Sequence, residues 1–334
     1  MTDKTASQLN FFSTIKVGGW TLVSRVAGLI RDIFTTNLLG ASIFHDIFVV
    51  VLKIPNVFRK LFAEGAFSQA FIPIYSEYIG SKDEKGSQDF LNALFGILLS
   101  ALFIFTTLAL FFAPVFILIF APGFYFDIQK QDLAVSLLRI MFPYLALISL
   151  VAFAAGIQNS HNKFSIPALT PLIFNLSLIG SAWLVAPKID IPVMALAWGV
   201  LLAGFLQLLF QIAPLASIKK IPVPKIDFQN PGVKKFFILI LPAIVAGGIA
   251  QINLLVDTIF ASLLITGSPT WLYVSDRLIQ FPMGIFAIAV GTVLLPSLSK
   301  SYAQKEIKAF TEQLENAFKL IFFLAIPSLI GLIL

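Results

Sequence analysis

Two arginines interrupt the first long apolar stretch of the chain, which runs from Val17 to Leu39. At 100° per residue, the polar residues of this stretch fall on one side of a helix, within roughly 140°. They are Thr21, Ser24, Arg25, Gly28, Arg31, Asp32, Thr35 and Thr36. An arginine in the middle of a membrane costs roughly 2.5–3.5 kcal/mol on insertion scales, so this polar stripe must face protein or water.

Further charges interrupt two other apolar stretches. The second stretch contains Asp46, Lys53, Arg59, Lys60 and Glu64, and the eighth contains Asp276 and Arg277. Together with Arg25, Arg31 and Asp32, the cations exceed the anions by two. Guanidinium groups bind phosphate oxygens bidentately, so a cluster with Arg25, Arg31, Arg59 and Arg277 favours a multiply anionic cargo such as a pyrophosphate. The alternative is that the charges pair with one another, for example Asp32 with Arg25 or Arg31, and lock helices together.

Asp257 is a lone carboxylate in an otherwise apolar seventh stretch. A carboxylate at this depth must pair, protonate or bind a cation. No basic residue lies within one helical turn of it, which makes Asp257 a candidate for coupling to Na⁺ or H⁺. The alternative is a hydrogen bond to a serine or threonine of a neighbouring helix.

The elements that must position these charges are membrane helices. The chain of 334 residues is 58% hydrophobic and 12% charged, against about 25% charged in soluble domains. A span needs about 20 apolar residues, which predicts an all-α polytopic membrane protein with about nine transmembrane helices. The stretches are Val17–Leu39, Ile43–Tyr75, Phe90–Pro114, Leu133–Ile157, Ile166–Pro187, Ile191–Ile218, Phe236–Ile265, Trp271–Leu298 and one from Phe310. The abundant phenylalanine is interpreted as lipid-facing surface.

The basic residues follow the loops. One alternate set of loops carries Lys4, Lys16, Lys82, Lys85, Lys163, Lys219, Lys220, Lys225, Lys234, Lys235, Lys300, Lys305 and Lys308. The opposite set carries Lys130 and Lys188 beside acidic residues. The positive-inside rule therefore predicts a cytoplasmic N-terminus, and it explains the pI near 9.4 without a nucleic-acid partner.

A loose internal repeat divides the chain. Gly40 to Pro55 spans the same 15 positions as Gly267 to Pro282. Because both copies run in the same direction, the pattern predicts a two-lobed transporter built from parallel repeats. The predicted domains are a six-helix N-terminal lobe over 1–217, a cytoplasmic linker over 218–235 and the start of a C-terminal lobe over 236–334. The second lobe is then incomplete, and we expect a longer protein.

Catalytic signals are weak. The chain has no cysteine, and its two histidines are far apart in sequence, so no metal site is expected. No Walker loop, Gly-x-Ser-x-Gly motif or dinucleotide fingerprint occurs, so neither a nucleotide partner nor a cofactor is expected apart from the coupling cation. The prediction is a transporter and not an enzyme.

Several motifs give a specific resemblance. The stretches are Ser24-Arg-Val-Ala-Gly-Leu-Ile-Arg-Asp32, Pro55-Asn-Val-Phe-Arg-Lys-Leu-Phe-Ala-Glu-Gly-Ala-Phe-Ser-Gln-Ala-Phe-Ile-Pro73, Asn162-Lys-Phe-Ser-Ile-Pro-Ala168, Ser275-Asp-Arg-Leu-Ile-Gln-Phe-Pro282 and Gly291-Thr-Val-Leu-Leu-Pro-Ser-Leu-Ser-Lys300. From about residue 10 to its end, the chain resembles the MurJ (MviN) lipid II flippases of the multidrug/oligosaccharidyl-lipid/polysaccharide exporter superfamily.

The resemblance implies a cationic central cavity that moves lipid II, an undecaprenyl-pyrophosphate-linked muropeptide, to the periplasmic leaflet by alternating access. It implies a location in the bacterial inner membrane and roles in peptidoglycan biosynthesis, cell wall biogenesis and cell shape. The family's cavity charges match Arg25, Arg31, Asp46, Arg59 and Arg277, with Ser24, Gly28 and Glu64 nearby. Two alternatives stay open. A drug or cation antiporter of the same superfamily predicts a cavity dominated by carboxylates, and a polyprenyl-phosphate enzyme predicts clustered acids or a His–Ser pair.

Overall fold

The regular structure is helical throughout the described part of the chain. The computed structural model describes residues 3–60, 65–289, 298, 301–302, 304 and 306–333. Its α-helices are α1 (Asp3–Leu39), α2 (Ile43–Arg59), α3 (Gly65–Gly80), α4 (Glu84–Phe111), α5 (Ala113–Phe120), α6 (Pro122–Tyr125), α7 (Ile128–Met141), α8 (Tyr144–Ser160), α9 (Ser165–Gly180), α10 (Pro192–Ser217), α11 (Pro231–Leu263), α12 (Ser268–Ala289) and α13 (Ile307–Ile333). A π-helical turn (Ser181–Val185) and a 3₁₀ turn (Ala186–Lys188) extend α9.

Six stretches of the described helices are long and apolar enough to cross a membrane. They are Glu84–Phe111, Ile128–Ser160, Ser165–Lys188, Pro192–Ser217, Pro231–Ile249 and Ile307–Gly331. The helix α1 is long enough, but Arg25, Arg31 and Asp32 interrupt its apolar part. The stretch predicted from Ile43 to Tyr75 contains two helices, α2 and α3, on either side of residues 61–64. The all-α membrane fold is confirmed, while the predicted number of nine spans stays a prediction.

An aromatic cluster packs α3 against α4, α8 and α11. The rings of Phe67 and Phe71 stack at 5.3 Å, and Phe71 also contacts Phe90 and Phe153. Phe236 of α11 joins through Phe67 at 5.5 Å. All five rings are buried. The interpretation of phenylalanine as lipid-facing surface is therefore wrong for these residues, because edge and face contacts between rings hold the helices together.

Three buried glutamines connect α8, α9 and α10. Gln158 donates to Gln211 at 2.5 Å, and Gln211 donates to the hydroxyl of Thr170 at 2.7 Å. Gln207 donates to the backbone carbonyl of Thr170 at 3.1 Å. Amide groups in an apolar bundle are costly unless they are bonded, so this network fixes the three helices in one register.

The chain forms two compact units, one ending at Thr270 and the next beginning at Trp271. Within the first unit, α11 packs closely along α3, and α1 packs along α9. The predicted lobes, with their linker at 218–235, stay a prediction. The two glycines that anchor the predicted repeat share a local conformation, since φ is +60° at Gly40 and +98° at Gly267. Each precedes a helix, α2 and α12 respectively, and glycine adopts this conformation without a steric penalty.

Candidate transport site

The junction of α1 and α9 holds the predicted site residue Arg31. Its Nε and Nη2 donate to one carboxylate oxygen of Asp32, at 3.0 and 2.6 Å, and its Nη1 donates to Asn175 at 3.1 Å. The guanidinium also lies over the ring of Phe174, 5.6 Å from its centre. Only 6% of Arg31 is exposed. The ion pair that the helix-locking alternative required is therefore present.

Asn175 completes this junction from the α9 side. Its Nδ2 donates to the backbone carbonyl of Ser24 at 2.9 Å. A Cβ on Gly28 would lie 3.6 Å from the same amide, an ordinary van der Waals contact, so Gly28 faces Asn175 across the junction. Ser24 and Gly28 thus lie where the helices meet. Sequence reasoning missed Asn175, although a single amide in an apolar stretch was a usable signal.

Arg25 differs from Arg31. It belongs to the same polar stripe, but its side chain is exposed. Within the described part of the chain, Arg25 makes no hydrogen bond or ion pair. Arg31 donates to both Asp32 and Asn175, and Asn175 donates to the carbonyl of Ser24. An exposed guanidinium in a membrane helix needs water or an anion beside it. The geometry leaves Arg25 able to meet a ligand.

Asp46 lies in the first turn of α2 and caps the first turn of α12. Its Oδ2 accepts from the backbone N–H of Gly267 at 2.6 Å. Its Oδ1 accepts from the N–H of Thr270 at 3.0 Å and from the Thr270 hydroxyl at 2.6 Å. Asp46 is 2% exposed. Both carboxylate oxygens are used in this conformation, and the negative charge lies favourably at a helix N-terminus.

The remaining predicted residues make other contacts. Arg59, at the end of α2, is partly buried and donates to Asn56 at 3.1 Å. Arg277 belongs to the second compact unit, where it donates to Gln280 at 3.3 Å and lies 5.2 Å from the ring centre of Tyr273. Glu64 lies outside the described residues.

Asp257, the predicted coupling residue, lies in α11 with an exposed side chain. No hydrogen bond joins its carboxylate to any other described residue, whereas the adjacent Thr258 donates to the carbonyl of Leu254 at 2.6 Å. Among the described residues, no serine or threonine donates to Asp257, as the alternative required.

The two histidines have different hydrogen-bond partners. His161, at the end of α8, is 3.0 Å from the hydroxyl of Tyr75 through Nε2. Burial lowers the pKa of His161 below its ordinary value, and the positive charges of Lys220 and Lys163 lower it further. His45 contacts the carbonyl of Gly40 through Nδ1, at 2.8 Å.

Two solved structures share this fold. The chain superposes on a lipid II flippase MurJ in its inward closed conformation with a TM-score of 0.75 and 32% identity, over 96% of this chain and 65% of the other. It superposes on an inward-facing multidrug resistance MATE family transporter of the MOP superfamily with a TM-score of 0.56 and 14% identity, over 93% of this chain and 68% of the other. The chain is a multi-pass membrane protein with the fold of the multidrug/oligosaccharidyl-lipid/polysaccharide exporters.

The family follows from sequence. The family model for the lipid II flippase MurJ matches residues 35–334, so the chain belongs to the MurJ family. A probable lipid II flippase MurJ of Vibrio cholerae is 39% identical over 99% of this chain and 65% of its own length. The lipid II flippase MurJ of Burkholderia cenocepacia is 37% identical over 96% of this chain and 63% of its own length. The chain thus spans just under two thirds of the length of these relatives.

Proposed function

We propose that this protein is a flippase that moves lipid II from the cytoplasmic to the periplasmic leaflet of the inner membrane, and that it has no catalytic activity of its own. Membership of the MurJ family and the names of the relatives support this cargo. The observation of the structure that carries the proposal is Arg25, an exposed cation in a membrane helix with no partner among the described residues. A pyrophosphate would supply its missing anion.

Arg31 has a different part in this proposal. Its ion pair with Asp32 lies within α1 and orients the guanidinium, and its bond to Asn175 fixes α1 against α9. It then holds Arg25 in place and adds positive charge, while Arg25 contacts the cargo. Cargo contacts of Arg59 and Arg277 stay predictions from the sequence. The pyrophosphate would be bound by the arginines and no nucleotide or metal cofactor would be needed.

Asp46 supports alternating access as the mechanism. The cap that it provides ties the start of α2 to the turn between α11 and α12, which we place at the periplasmic end. With this contact made, the periplasmic side is closed and cargo enters from the cytoplasm. Opening toward the periplasm would require these three hydrogen bonds to break.

A depletion strain tests the cellular role. In cells that lose their own lipid II flippase, the full-length protein should restore growth and normal cell shape and prevent the accumulation of lipid II. Restored growth with lipid II still accumulated would contradict the proposal, because it would show rescue by another route.

Asp257 is proposed to bind Na⁺ or to carry a proton during the cycle. Since no other described residue bonds its carboxylate, Asp257→Asn should remove the dependence of transport on the Na⁺ or H⁺ gradient and lower the initial rate about tenfold or more. The measurement is lipid II transport at several gradients of each ion. Glu315→Gln in α13 serves as a control carboxylate. An unchanged rate with unchanged ion dependence in Asp257→Asn would eliminate the proposal.

The orientation is tested by labelling single cysteines with an impermeant maleimide. Ser81→Cys and Ser217→Cys should react only from the cytoplasm and Ser268→Cys only from the periplasm, because the lysine-rich loops are held inside. Periplasmic labelling at position 217 would reverse the orientation and the proposed direction of transport.

A drug or cation antiporter is the alternative function. The similarity to the MATE family transporter is at 14% identity and shows the fold alone. No contact of the described residues favours this alternative over lipid II.

A further inference from the structure

An apolar cavity of about 550 Å³ lies among α3, α4, α8 and α11, within the first compact unit. This volume is in the range of small-molecule sites, which usually contain a few polar groups that orient the ligand. Of the described lining residues, Ser149 alone is polar, and its hydroxyl donates to the carbonyl of Leu145 at 2.7 Å. The cavity therefore suits a ligand that has no polar group at this depth.

The cavity opens at the surface of the first compact unit. Ala101 of α4 and Leu241 of α11 line it and are themselves exposed. The first lining residues are Leu94, which lies 10 residues after Glu84, and Phe236, which lies 5 residues after Pro231. At about 1.5 Å per residue, the cavity begins about 8–15 Å from these helix starts. Both helices start on the predicted cytoplasmic side, which places the cavity in the inner leaflet.

The segment between α10 and α11 crosses the cytoplasmic mouth of the cavity. Val223 donates from its backbone to the side chain of Asn92 at 2.8 Å, and Lys225 donates from its backbone to the carbonyl of Asn92 at 3.1 Å. The backbone of Lys225 then lies against Gly96, where a side chain would collide with it. Ile97, the next residue, already lines the cavity. The mouth of the cavity is thus bordered by a basic segment that is hydrogen-bonded to α4.

Lys234 places a positive charge at this mouth. It is exposed in the first turn of α11, one helical turn before the lining residue Phe237, so the two side chains share a face. Its neighbour Lys235 is paired with Glu77, whereas Lys234 makes no ion pair with any described residue. The two features match the two parts of a phospholipid: the apolar cavity suits an acyl chain, and the positive charge of Lys234 suits a phosphate.

We infer that the cavity binds an acyl chain of an anionic phospholipid from the cytoplasmic leaflet, with the lipid phosphate at Lys234. The bilayer supplies this ligand at high local concentration, and basic pockets between membrane helices on the cytoplasmic side favour such headgroups. The bound lipid would fill the space between α11 and the helices α4 and α8. None of the cavity residues is a proposed lipid II contact, and the inference does not depend on those contacts.

Native mass spectrometry of the full-length protein, taken from vesicles of equal phosphatidylglycerol and phosphatidylcholine, tests the inference. The unchanged protein should retain phosphatidylglycerol in preference to phosphatidylcholine. Leu98→Trp fills the cavity and should lower this retention about tenfold, while Leu99→Trp, on the adjacent exposed position, should not. Lys234→Gln should remove the headgroup preference, and Lys85→Gln, an exposed lysine at the start of α4, should keep it. Equal retention in Leu98→Trp and Leu99→Trp, or no preference in the unchanged protein, would overturn the inference.

A second measurement does not require the cavity to be filled. Phe105→Trp replaces one lining ring by another, and its fluorescence, taken as the difference from the unchanged protein, reports contact with dibrominated acyl chains. Dibrominated phosphatidylglycerol should quench it more strongly than phosphatidylcholine with the same chains. Phe103→Trp, on the exposed face of α4, should be quenched equally by both lipids. Equal quenching at position 105 would contradict a bound anionic lipid.

Discussion

Arg25→Ala is expected to reduce lipid II transport at least tenfold while changing the free energy of unfolding by no more than about 0.5 kcal/mol. The exposed Arg25 has no partner among the described residues to lose, so its removal leaves packing intact. The cargo would lose charge-assisted hydrogen bonds worth roughly 1.5–3 kcal/mol, and each 1.4 kcal/mol is a factor of about ten in affinity. Lipid II transport by Arg25→Lys should fall between that of the unchanged protein and that of Arg25→Ala. Lysine keeps the positive charge, but its ammonium group lacks the planar fork of the guanidinium.

Arg31→Ala serves as the matched comparison on the same helix. It removes the ion pair with Asp32 and the bond to Asn175 in a nearly dry site, so it should destabilise the protein by about 3 kcal/mol. The double mutant Arg31→Ala/Asp32→Ala should recover much of that stability, because no unpaired buried charge is left. Thermal unfolding and lipid II transport are measured on all four variants. A stable Arg31→Ala together with an unstable Arg25→Ala would reverse the roles assigned to the two arginines.

Asp46→Ala is expected to open the end of the protein where α2 meets the turn before α12. The substitution removes three hydrogen bonds to a buried carboxylate and leaves the N–H groups of Gly267 and Thr270 without their acceptor. A loss of about 3 kcal/mol would change the ratio of closed to open molecules by roughly a hundredfold. Spin labels at the exposed Ala41 and Thr266 should show one short distance in the unchanged protein and a longer, broader distribution in Asp46→Ala. Transport should fall about tenfold.

Asp127 provides the control for this experiment. Its carboxylate caps α7 by accepting from the N–H groups of Gln129 and Lys130, but the side chain is 44% exposed, so Asp127→Ala should leave both the distance and transport unchanged. If Asp46→Ala keeps the short distance, the cap does not hold the closed state. The prediction that Asp46 contacts the cargo would then regain its place as the explanation for any loss of transport.

The polar stripe of α1 shows how far the sequence predicts the site. Helical periodicity alone places Ser24, Arg31 and Thr35 on one buried side, with Ile30 and Ile33 exposed on the other. The same pattern assigned one role to both arginines, although they lie in different environments. Arg31 is the arginine that bonds to α9, because Asn175 accepts its hydrogen bond. Asn175 lies 144 residues further along the chain, and helical periodicity within α1 contains no information about that contact.

Asp46 shows the same limit more clearly. Its charge in an apolar helix made it a candidate site residue, but its partners Gly267 and Thr270 are more than 220 residues away in sequence. The aromatic cluster around Phe71 was equally inaccessible, because a buried phenylalanine and a lipid-facing one have the same hydropathy. The membrane fold and family could therefore be predicted from local composition and motifs. The pairing of individual polar groups could not, because it depends on tertiary contacts.

Transbilayer movement of lipid II in proteoliposomes tests the central proposal most directly. The full-length protein is reconstituted with fluorescent lipid II in both leaflets, and an impermeant quencher reports the fraction that reaches the outside over time. We expect nearly all of the lipid II to become accessible with the unchanged protein, and only the outer fraction to do so with Arg25→Ala on the same timescale. A phosphatidylcholine probe should not move with either protein. Equal movement of lipid II in vesicles with and without the protein, or equal movement of both lipids, would contradict the proposal.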